Sequence, residues 1–383
     1  MPSVCLCFEV HQPIVLRNFR FLDLAAGKPL EDAAKMKANT DYWTEKCYSP
    51  LNTKIRELFL KYKGNFRLAF YTSGVLIQQL EQYRPDVLSS FAKLGWTNCA
   101  EFLAGTYHHS LAAFISPTTF LEETAQLSTK IRNYFEQEPL VFYSPQCIYT
   151  DSMANDLASK SFTGILCEPS EEWLKKANNA QVYTPYLTLP ERFTRKPSLL
   201  LRNAHLSADL KSIFAKEKKT SPAEYVRQIR EEVKRDQVAM LTLRYQDLSD
   251  IDFAINFLDQ FAADWLSYPD NYFFTPSMTV ARLQPKGILS APKGIAHQQE
   301  NLDYWFGNSY QQQFLQQLIE MEGAVRYWNR QNWTNVWAQL QMEETFAFLN
   351  AHFPHEGNPF TSQKEAFIAL SNMLSYLQLQ MNR

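Results

Sequence analysis

The chain has 383 residues, a formal net charge of −2 at pH 7, 45% hydrophobic residues and 20% charged residues. Single cores seldom grow beyond about 250 to 300 residues, so this length predicts a large domain joined to a smaller one. The near-neutral charge without a long basic run excludes nucleic-acid binding, and the lack of an apolar stretch of about 20 residues excludes a membrane span.

Short β-rich runs alternate with amphipathic segments through about the first 285 residues. Longer segments at 117–136, 222–235 and 252–266 have helical periodicity. This repeated order predicts the α/β class, as an irregular TIM-like (β/α)7 barrel with its helices outside. The seven predicted strands are 4–10, 66–71, 100–104, 141–143, 164–167, 199–202 and 239–245.

The composition changes after the proline- and glycine-containing stretch 285–294. Residues 310–328, 335–349 and 363–381 are rich in Gln, Leu, Phe, Trp and Met at helical spacing. We therefore predict two domains: a barrel over residues 1–285 and an α-helical bundle over residues 295–383.

The six cysteines and the N-terminus bear on the cell compartment. Residues 1–10 lack the basic segment, long apolar segment and cleavage site of a secretion signal. The cysteines form no C-x-x-C pair and mostly lie in apolar runs, where free thiols are usually buried. We expect reduced thiols and a cytoplasmic protein.

Polar residues at the strand ends belong to motifs that recur in a fixed order. Residues 7–13 (CFEVHQP) close the first predicted strand, residues 99–111 (CAEFLAGTYHHSL) include the third, and residues 199–210 (LLLRNAHLSADL) include the sixth. Together these segments resemble the signatures of glycoside hydrolase family 57, whose members include retaining α-amylases. The resemblance implies substrate-binding roles for His11, Gln12, Glu101, His109 and Asp209.

The position of the family's nucleophile is occupied by an amide. Retaining glycosidases need a carboxylate nucleophile and a carboxylic acid about 5 to 5.5 Å apart. In the family the nucleophile is the Glu of VFRNTELIY, and the similar stretch here is residues 141–149, VFYSPQCIY. The nucleophile position therefore holds Gln146, which has no negative charge with which to form a covalent intermediate.

The position of the family's acid/base is occupied by a cation. The family motif MDYETFG supplies an Asp, and residues 241–249 (LTLRYQDLS) place Arg244 there. Arginine stays protonated, so it cannot cycle a proton, and its charge opposes an oxocarbenium-like transition state. Gln246 and Asp247 stand where the family tends to carry Glu and Thr, which indicates wider change around the site.

Other carboxylates near predicted strand ends could take over the chemistry or serve as structural partners. We expect Asp209 or Glu101 to pair with Arg244, because an unpaired buried arginine would be costly. The carboxylates considered are Glu101, Asp151, Glu168, Asp209 and Asp247.

The leading hypothesis is a catalytically inactive α-amylase-like homologue that binds an α-glucan, a maltooligosaccharide or a protein partner such as an active amylase. One alternative is an active retaining α-amylase or 4-α-glucanotransferase that uses displaced carboxylates. Another is a structural or regulatory protein without glycan affinity.

A metal-dependent deacylase is disfavoured, because adjacent His108 and His109 would point in opposite directions and the His-x-x-x-His spacing is missing. We expect no metal and no cofactor.

Overall fold

The computed structural model describes residues 1–20, 22–23, 29–296, 302–350 and 358–381. Their strands are short and almost entirely buried, as expected for apolar runs flanked by helices on a sheet. In chain order they are β1 Ser3–Val10, β2 Leu68–Thr72, β3 Ala100–Leu103, β4 Val141–Tyr143, β5 Gly164–Cys167, β6 Val182–Pro185, β7 Ser198–Leu201, β8 Val238–Arg244, β9 Tyr272–Phe273 and β10 Ile288–Leu289.

Seven parallel strands close into a ring, which confirms the predicted (β/α)7 barrel. One arc runs β8-β1-β2-β3 and the other runs β4-β5-β7. Parallel bridges from Ala104 to Phe142 and from Arg202 to Met240 join the two arcs. The ring consists of the seven strands predicted from the sequence. Strands β6, β9 and β10 were not predicted, and each pairs with the ring or with a neighbour outside it.

Helices begin and end at residues that suit those positions. Helix α5 illustrates the pattern: the Ser116 hydroxyl accepts from the Thr119 amide, Pro117 opens the helix, and Glu136 closes it in the left-handed conformation. The helices up to the end of the barrel region are α1 Ala33–Trp43, α2 Ser49–Lys61, α3 Gly74–Tyr83, α4 Pro85–Gly95, α5 Pro117–Phe135, α6 Asp151–Ala158, α7 Glu171–Leu174, α8 Ala204–Phe214, α9 Pro222–Glu232, α10 Ile251–Leu266 and α11 Pro276–Arg282.

The alternation of side chains along β1 separates the barrel interior from the helical layer. Phe8 packs against Phe70 and Tyr245 on the side covered by helices. Because strand side chains alternate, Cys7 and Glu9 face the interior. All six cysteines are buried and free, in agreement with the predicted reduced thiols.

The C-terminal region is helical, as predicted, and its segments are α12 Asp303–Phe306, α13 Ser309–Trp328, α14 Gln331–Gln339, α15 Glu343–Phe348 and α16 Gln363–Met381. The single helix predicted over 335–349 is two helices, α14 and α15, separated at residues 340–342. Buried Trp337 donates its indole N–H to the Leu318 carbonyl at 3.0 Å and so fastens α14 to α13. The division into domains 1–285 and 295–383 stays a prediction.

None of the helices in the described ranges has both the length and the apolar character needed to cross a bilayer.

Prediction for Gly105. A Cβ on Gly105 would lie 2.3 Å from Tyr71 Cε2 and 2.8 Å from the Tyr143 carbonyl oxygen. Gly105→Ala should therefore lower the free energy of unfolding by about 2 to 3 kcal/mol in urea titrations, because buried rings and backbone must move. Gly323, within α13, has no atom within 4 Å of the same position. Gly323→Ala should be neutral or stabilising by about 0.5 to 1 kcal/mol, and equal losses in both variants would contradict the packing argument.

Candidate active site

The carboxyl ends of β1, β2 and β4 place one carboxylate and two phenols together at the barrel mouth. The Tyr143 hydroxyl donates to Glu9 Oε2 at 2.9 Å, and the rings of Tyr71 and Tyr143 stack at 4.8 Å. Burial raises the pKa of both phenols well above the usual value, and nearby Glu9 adds to the effect. Both tyrosines therefore stay protonated and available as donors at neutral pH.

Two histidines from the loops after β1 and β3 stack beside these phenols. The rings of His11 and His109 are 4.1 Å apart with an interplanar angle of 20°. Nδ1 of His11 bonds the Ser73 hydroxyl at 2.7 Å, and Nδ1 of His109 bonds the Tyr71 hydroxyl at 3.1 Å. Burial and the neighbouring His11 lower the pKa of His109 to about 4, so this ring is neutral at physiological pH.

The helical bundle inserts two consecutive glutamates into this mouth. Glu344 Oε1 lies 2.8 Å from His11 Nε2, and the Glu343 amide donates to the His109 carbonyl at 3.1 Å. The Trp305 indole N–H donates to Glu343 Oε1 at 2.5 Å. Burial, reinforced by Glu344, raises the pKa of Glu343 to about 8, so Glu343 is protonated at neutral pH.

The arrangement of His11, His109 and Glu344 favours hydrogen bonding over metal coordination. Each offers one ligand atom, and these atoms lie within 4.8 Å of one another. The lone pairs of an imidazole lie in the plane of its ring. The planes of the stacked His11 and His109 rings are nearly parallel, so their lone pairs do not converge on one point. Both rings would have to tilt before they could share one ion at the usual distance of about 2.1 Å.

Gln146, at the family's nucleophile position, lies in a strained loop directly after β4. Gln146 and Cys147 both have a φ of 52°, in the left-handed region that residues other than glycine seldom adopt. The loop is held by the Cys147 amide, which donates to the Ser144 carbonyl at 2.9 Å. The half-buried Gln146 is thus held three residues beyond Tyr143, at the same end of the barrel.

Arg244, at the acid/base position, ends β8 beside Glu9. The two residues are register partners on adjacent strands, so their side chains share the interior face. The Arg244 side chain is 59% exposed, and its Nη2 lies 3.3 Å from Asp247 Oδ1. Gln246 is fixed nearby by donating to the His11 carbonyl and to the Tyr48 hydroxyl, at 3.0 and 2.7 Å.

Three of the predicted substrate-binding residues are engaged outside the histidine cluster. Gln12 is buried and donates to the Tyr48 hydroxyl at 3.1 Å. Glu101 accepts from the amide and hydroxyl of Ser277, at the start of α11, at 3.0 and 2.9 Å. Asp209 forms an ion pair with Lys218. The expected pairing of Asp209 or Glu101 with Arg244 is therefore wrong, because Asp247 is closer in the chain and Arg244 is solvated rather than buried.

The remaining carboxylates near strand ends also have structural partners. Glu168 forms a buried ion pair with Arg202, with Nη1 and Oε2 3.1 Å apart. Asp151 accepts from the Ala291 amide and the Ser290 hydroxyl, at 2.8 and 2.6 Å. These contacts fix the loops after β4, β5 and β7.

Glu343, Glu344 and Trp305 were not among the site residues predicted from the sequence. A signal was available, because two adjacent carboxylates with no neighbouring base interrupt an apolar run, WAQLQMEETFAFL, at 337–349. Such a pair on the core face of a helix is unusual and marks a polar function or contact.

Comparison with known proteins agrees with the geometry of the mouth. A family model described as Glycosyl hydrolase family 57 matches residues 5–292, about three quarters of the chain. The chain belongs to this family. The (β/α)7 barrel with polar loops at one end of its strands agrees with this membership.

One curated relative of this family 57 chain is the protein of Methanocaldococcus jannaschii named "Putative alpha-amylase". It is 28% identical over 207 residues, which cover 53% of this chain and 42% of that protein. The match thus spans less than half the length of the relative.

Solved structures share the fold at low identity. The alpha-amylase AmyC from Thermotoga maritima has a TM-score of 0.65 at 10% identity, with 99% of this chain and 93% of that chain covered. The 4-alpha-glucanotransferase from Thermococcus litoralis has a TM-score of 0.67 at 10% identity, with 90% of this chain and 56% of that chain covered.

Prediction for the pH dependence of stability. In the unfolded chain Glu343 ionises near its ordinary value of 4.5, whereas its folded pKa is about 8. Between these values the folded chain keeps a proton that the unfolded chain has lost, so this group's contribution to stability falls as pH rises through the window. Glu343→Gln keeps an acceptor for Trp305 and removes the titration. Relative to the parent, the variant should gain a few kcal/mol of stability between pH 4.5 and 8, at about 1.4 kcal/mol per pH unit.

The measurement is urea unfolding at a series of pH values. Glu320→Gln, on the exposed face of α13, is the matched control and should run parallel to the parent protein. Parallel pH profiles for Glu343→Gln and the parent would show that Glu343 does not hold a proton in the folded chain.

Proposed function

We propose that this family 57 chain binds α-glucans at the barrel mouth without cleaving them. The observation that carries the proposal is the pair of residues at the two catalytic positions, an amide at Gln146 and a guanidinium at Arg244. Double displacement needs an anionic nucleophile and a group that gives and takes a proton. Neither residue can play either role.

Electrostatics at the mouth oppose hydrolysis as well. A unit positive charge about 5 Å from a developing oxocarbenium ion costs about 3 kcal/mol at an effective dielectric of about 20. Replacing an attractive carboxylate by Arg244 roughly doubles this difference. Asp247 offsets part of the Arg244 charge by accepting hydrogen bonds from its guanidinium and its backbone amide. The Asp247 carboxylate is therefore already engaged and does not replace the missing catalytic carboxylate.

The same residues suit recognition of an uncharged polyol. The exposed Arg244 presents guanidinium N–H donors at the rim, and the half-buried Gln146 adds an amide that can both donate and accept. Donors and acceptors of this kind bind sugar hydroxyls without requiring charge on the ligand. An α-glucan or maltooligosaccharide is therefore the ligand class that we propose.

Prediction for hydrolysis. The purified chain should release no reducing sugar from starch or maltooligosaccharides. Gln146→Glu combined with Arg244→Asp should restore at most trace activity, because Gln246 and Asp247 have also changed and Glu343 and Glu344 occupy the mouth. Reducing-sugar release at ordinary enzymatic rates by the parent chain would refute the proposal of an inactive site. The same rate in the double variant alone would instead refute the argument that the neighbouring positions have changed too far.

Prediction for binding. Gln146→Ala combined with Arg244→Ala should weaken binding of maltoheptaose about tenfold in calorimetric titrations, because each lost hydrogen bond contributes about 0.5 to 1.5 kcal/mol. Arg227→Ala is the matched control, since Arg227 is an exposed arginine on the outer helix α9. Retention of full affinity by the double variant would remove the mouth as the binding site. A parent chain without affinity for maltoheptaose would favour a structural or regulatory role.

A second candidate function is catalysis by displaced carboxylates. The observation that favours it is the pair Glu343 and Glu344, in which burial keeps one partner protonated at neutral pH. A carboxyl group that burial keeps protonated at neutral pH is suited to the role of a general acid. Both side chains are buried, so a substrate would reach them only after α15 had moved.

The two candidates are separated by a single comparison. If the parent chain cleaves maltoheptaose and Glu343→Gln abolishes the cleavage while leaving maltoheptaose affinity unchanged, displaced-carboxylate catalysis is the correct function. If neither protein cleaves maltoheptaose but the parent chain binds it, the binding proposal stands.

A further inference from the structure

Three aromatic rings meet on the surface of the bundle, where α13 turns into α14. Tyr327 and Trp328 end α13, and Trp333 lies in the first turn of α14. The turn is tight because Asn329 adopts the left-handed conformation with a φ of 42°. As a result the Tyr327 and Trp328 rings are 5.5 Å apart and the Trp328 and Trp333 rings are 6.1 Å apart.

Two of these rings are displayed to solvent, whereas Trp333 is partly buried against the core. Tyr327 is 82% exposed and Trp328 is 44% exposed. The buried residues of α13 recur at Phe314, Leu318, Met321 and Val325, and Tyr327 lies off that stripe. Large aromatic rings that lie side by side in contact with solvent are uncommon on protein surfaces. Such apolar patches commonly mark binding sites.

The end of α13 that carries Tyr327 and Trp328 is anchored to the barrel helix α5. Arg326, next to Tyr327, reaches helix α5, where its guanidinium bonds the Thr119 hydroxyl at 2.6 Å and pairs with Glu122 at 3.2 Å. A further bond at 2.7 Å joins Arg326 to Glu322 one turn earlier in α13. The rings are therefore positioned before any ligand arrives, which lowers the entropic cost of binding.

The residues that flank the rings in sequence are polar and include no carboxylate, and the nearby Glu122 and Glu322 pair with Arg326. Residues 326–335 read RYWNRQNWTN, so amides, one hydroxyl and two guanidinium groups are the polar groups next to the rings in sequence. Arg330 lies over the Trp333 ring with its Cζ 4.6 Å from the centroid. The rings meet edge to face, at interplanar angles of 82° and 83°, so they offer separate ring faces. An exposed ring face bordered by amide groups matches a sugar, which presents C–H faces to rings and hydroxyls to amides. A lipid surface would instead favour several basic residues here.

We propose that Tyr327, Trp328 and Trp333 form a second α-glucan contact surface, the bundle platform, separate from the barrel mouth. The proposal rests on the proposed function for the class of ligand. Its distinct content is that long glucans contact the bundle as well as the mouth. Two contacts on one chain raise the apparent affinity for a polymer above that for a short oligosaccharide.

The test is affinity electrophoresis of the full chain in gels that contain soluble starch or glycogen. Tyr327→Ala combined with Trp328→Ala should lower the apparent affinity for starch about tenfold, and calorimetric binding of maltotriose should change less than twofold. Trp96→Ala removes an exposed aromatic ring on the barrel, 54% exposed, and should leave the mobility of the chain unchanged. Circular dichroism at 222 nm checks that each variant is folded.

The outcomes separate the platform from the mouth. Unchanged starch retardation in the platform variant, together with lost retardation in Gln146→Ala/Arg244→Ala, overturns the platform and leaves the proposed function standing. Weaker retardation by starch in Tyr327→Ala/Trp328→Ala, with unchanged binding of maltotriose, supports the platform. A parent chain that starch does not retard overturns both. If Tyr327→Ala/Trp328→Ala instead abolishes a concentration-dependent dimer in light scattering without changing starch retardation, the rings bind a second copy and the platform is wrong.

Discussion

The arrangement of the mouth depends on one joint between the bundle and the barrel. The Leu111 amide donates to the Gln341 carbonyl at 2.9 Å, and Ser110 and Met342 form an antiparallel bridge. This short β-like contact aligns the start of α15 with the loop after β3. Glu343 and Glu344 then enter the mouth because they are the next residues in the chain, and the contact of Glu344 with His11 extends the joint to the loop after β1.

The joint also sets the protonation state of the mouth. By covering the strand ends, α15 removes His109 and Glu343 from water, and both groups respond by favouring their neutral forms. Neutral groups inside a covered site avoid most of the cost of burying charge. The charge that remains at the rim is carried by Arg244, whose exposure keeps it solvated and whose partner Asp247 comes from the following turn.

Much of the fold could be predicted from the sequence because its signals are local. Each barrel strand is an apolar run, and helices such as α5 carry their own caps in serine and proline. Strands β9 and β10 could not be predicted, since two residues give no periodicity and their pairing depends on distant partners. The break between α14 and α15 was missed for a similar reason: the joint with residues 110 and 111, which are more than two hundred positions away, imposes it.

Residues of the candidate site could be predicted only where the order of the barrel strands decides their position. Residues at strand ends or in the loops that follow them, such as His11, His109, Gln146 and Arg244, lie at the mouth because parallel strands end at one face. The glutamates of α15 reach the same place through bundle packing, which no local pattern encodes. Glu101 shows the opposite error: it belongs to a barrel strand, but its carboxylate caps helix α11, a role that depends on where β9 delivers Thr275 and Ser277.

The backbone contacts at residues 110, 111 and 341–343 limit how a ligand can reach the barrel mouth. These main-chain hydrogen bonds hold the start of α15 over the mouth, so the helix can move away only if the bonds break together. The α-glucan of the proposed function would therefore approach the mouth from the side of the exposed Arg244.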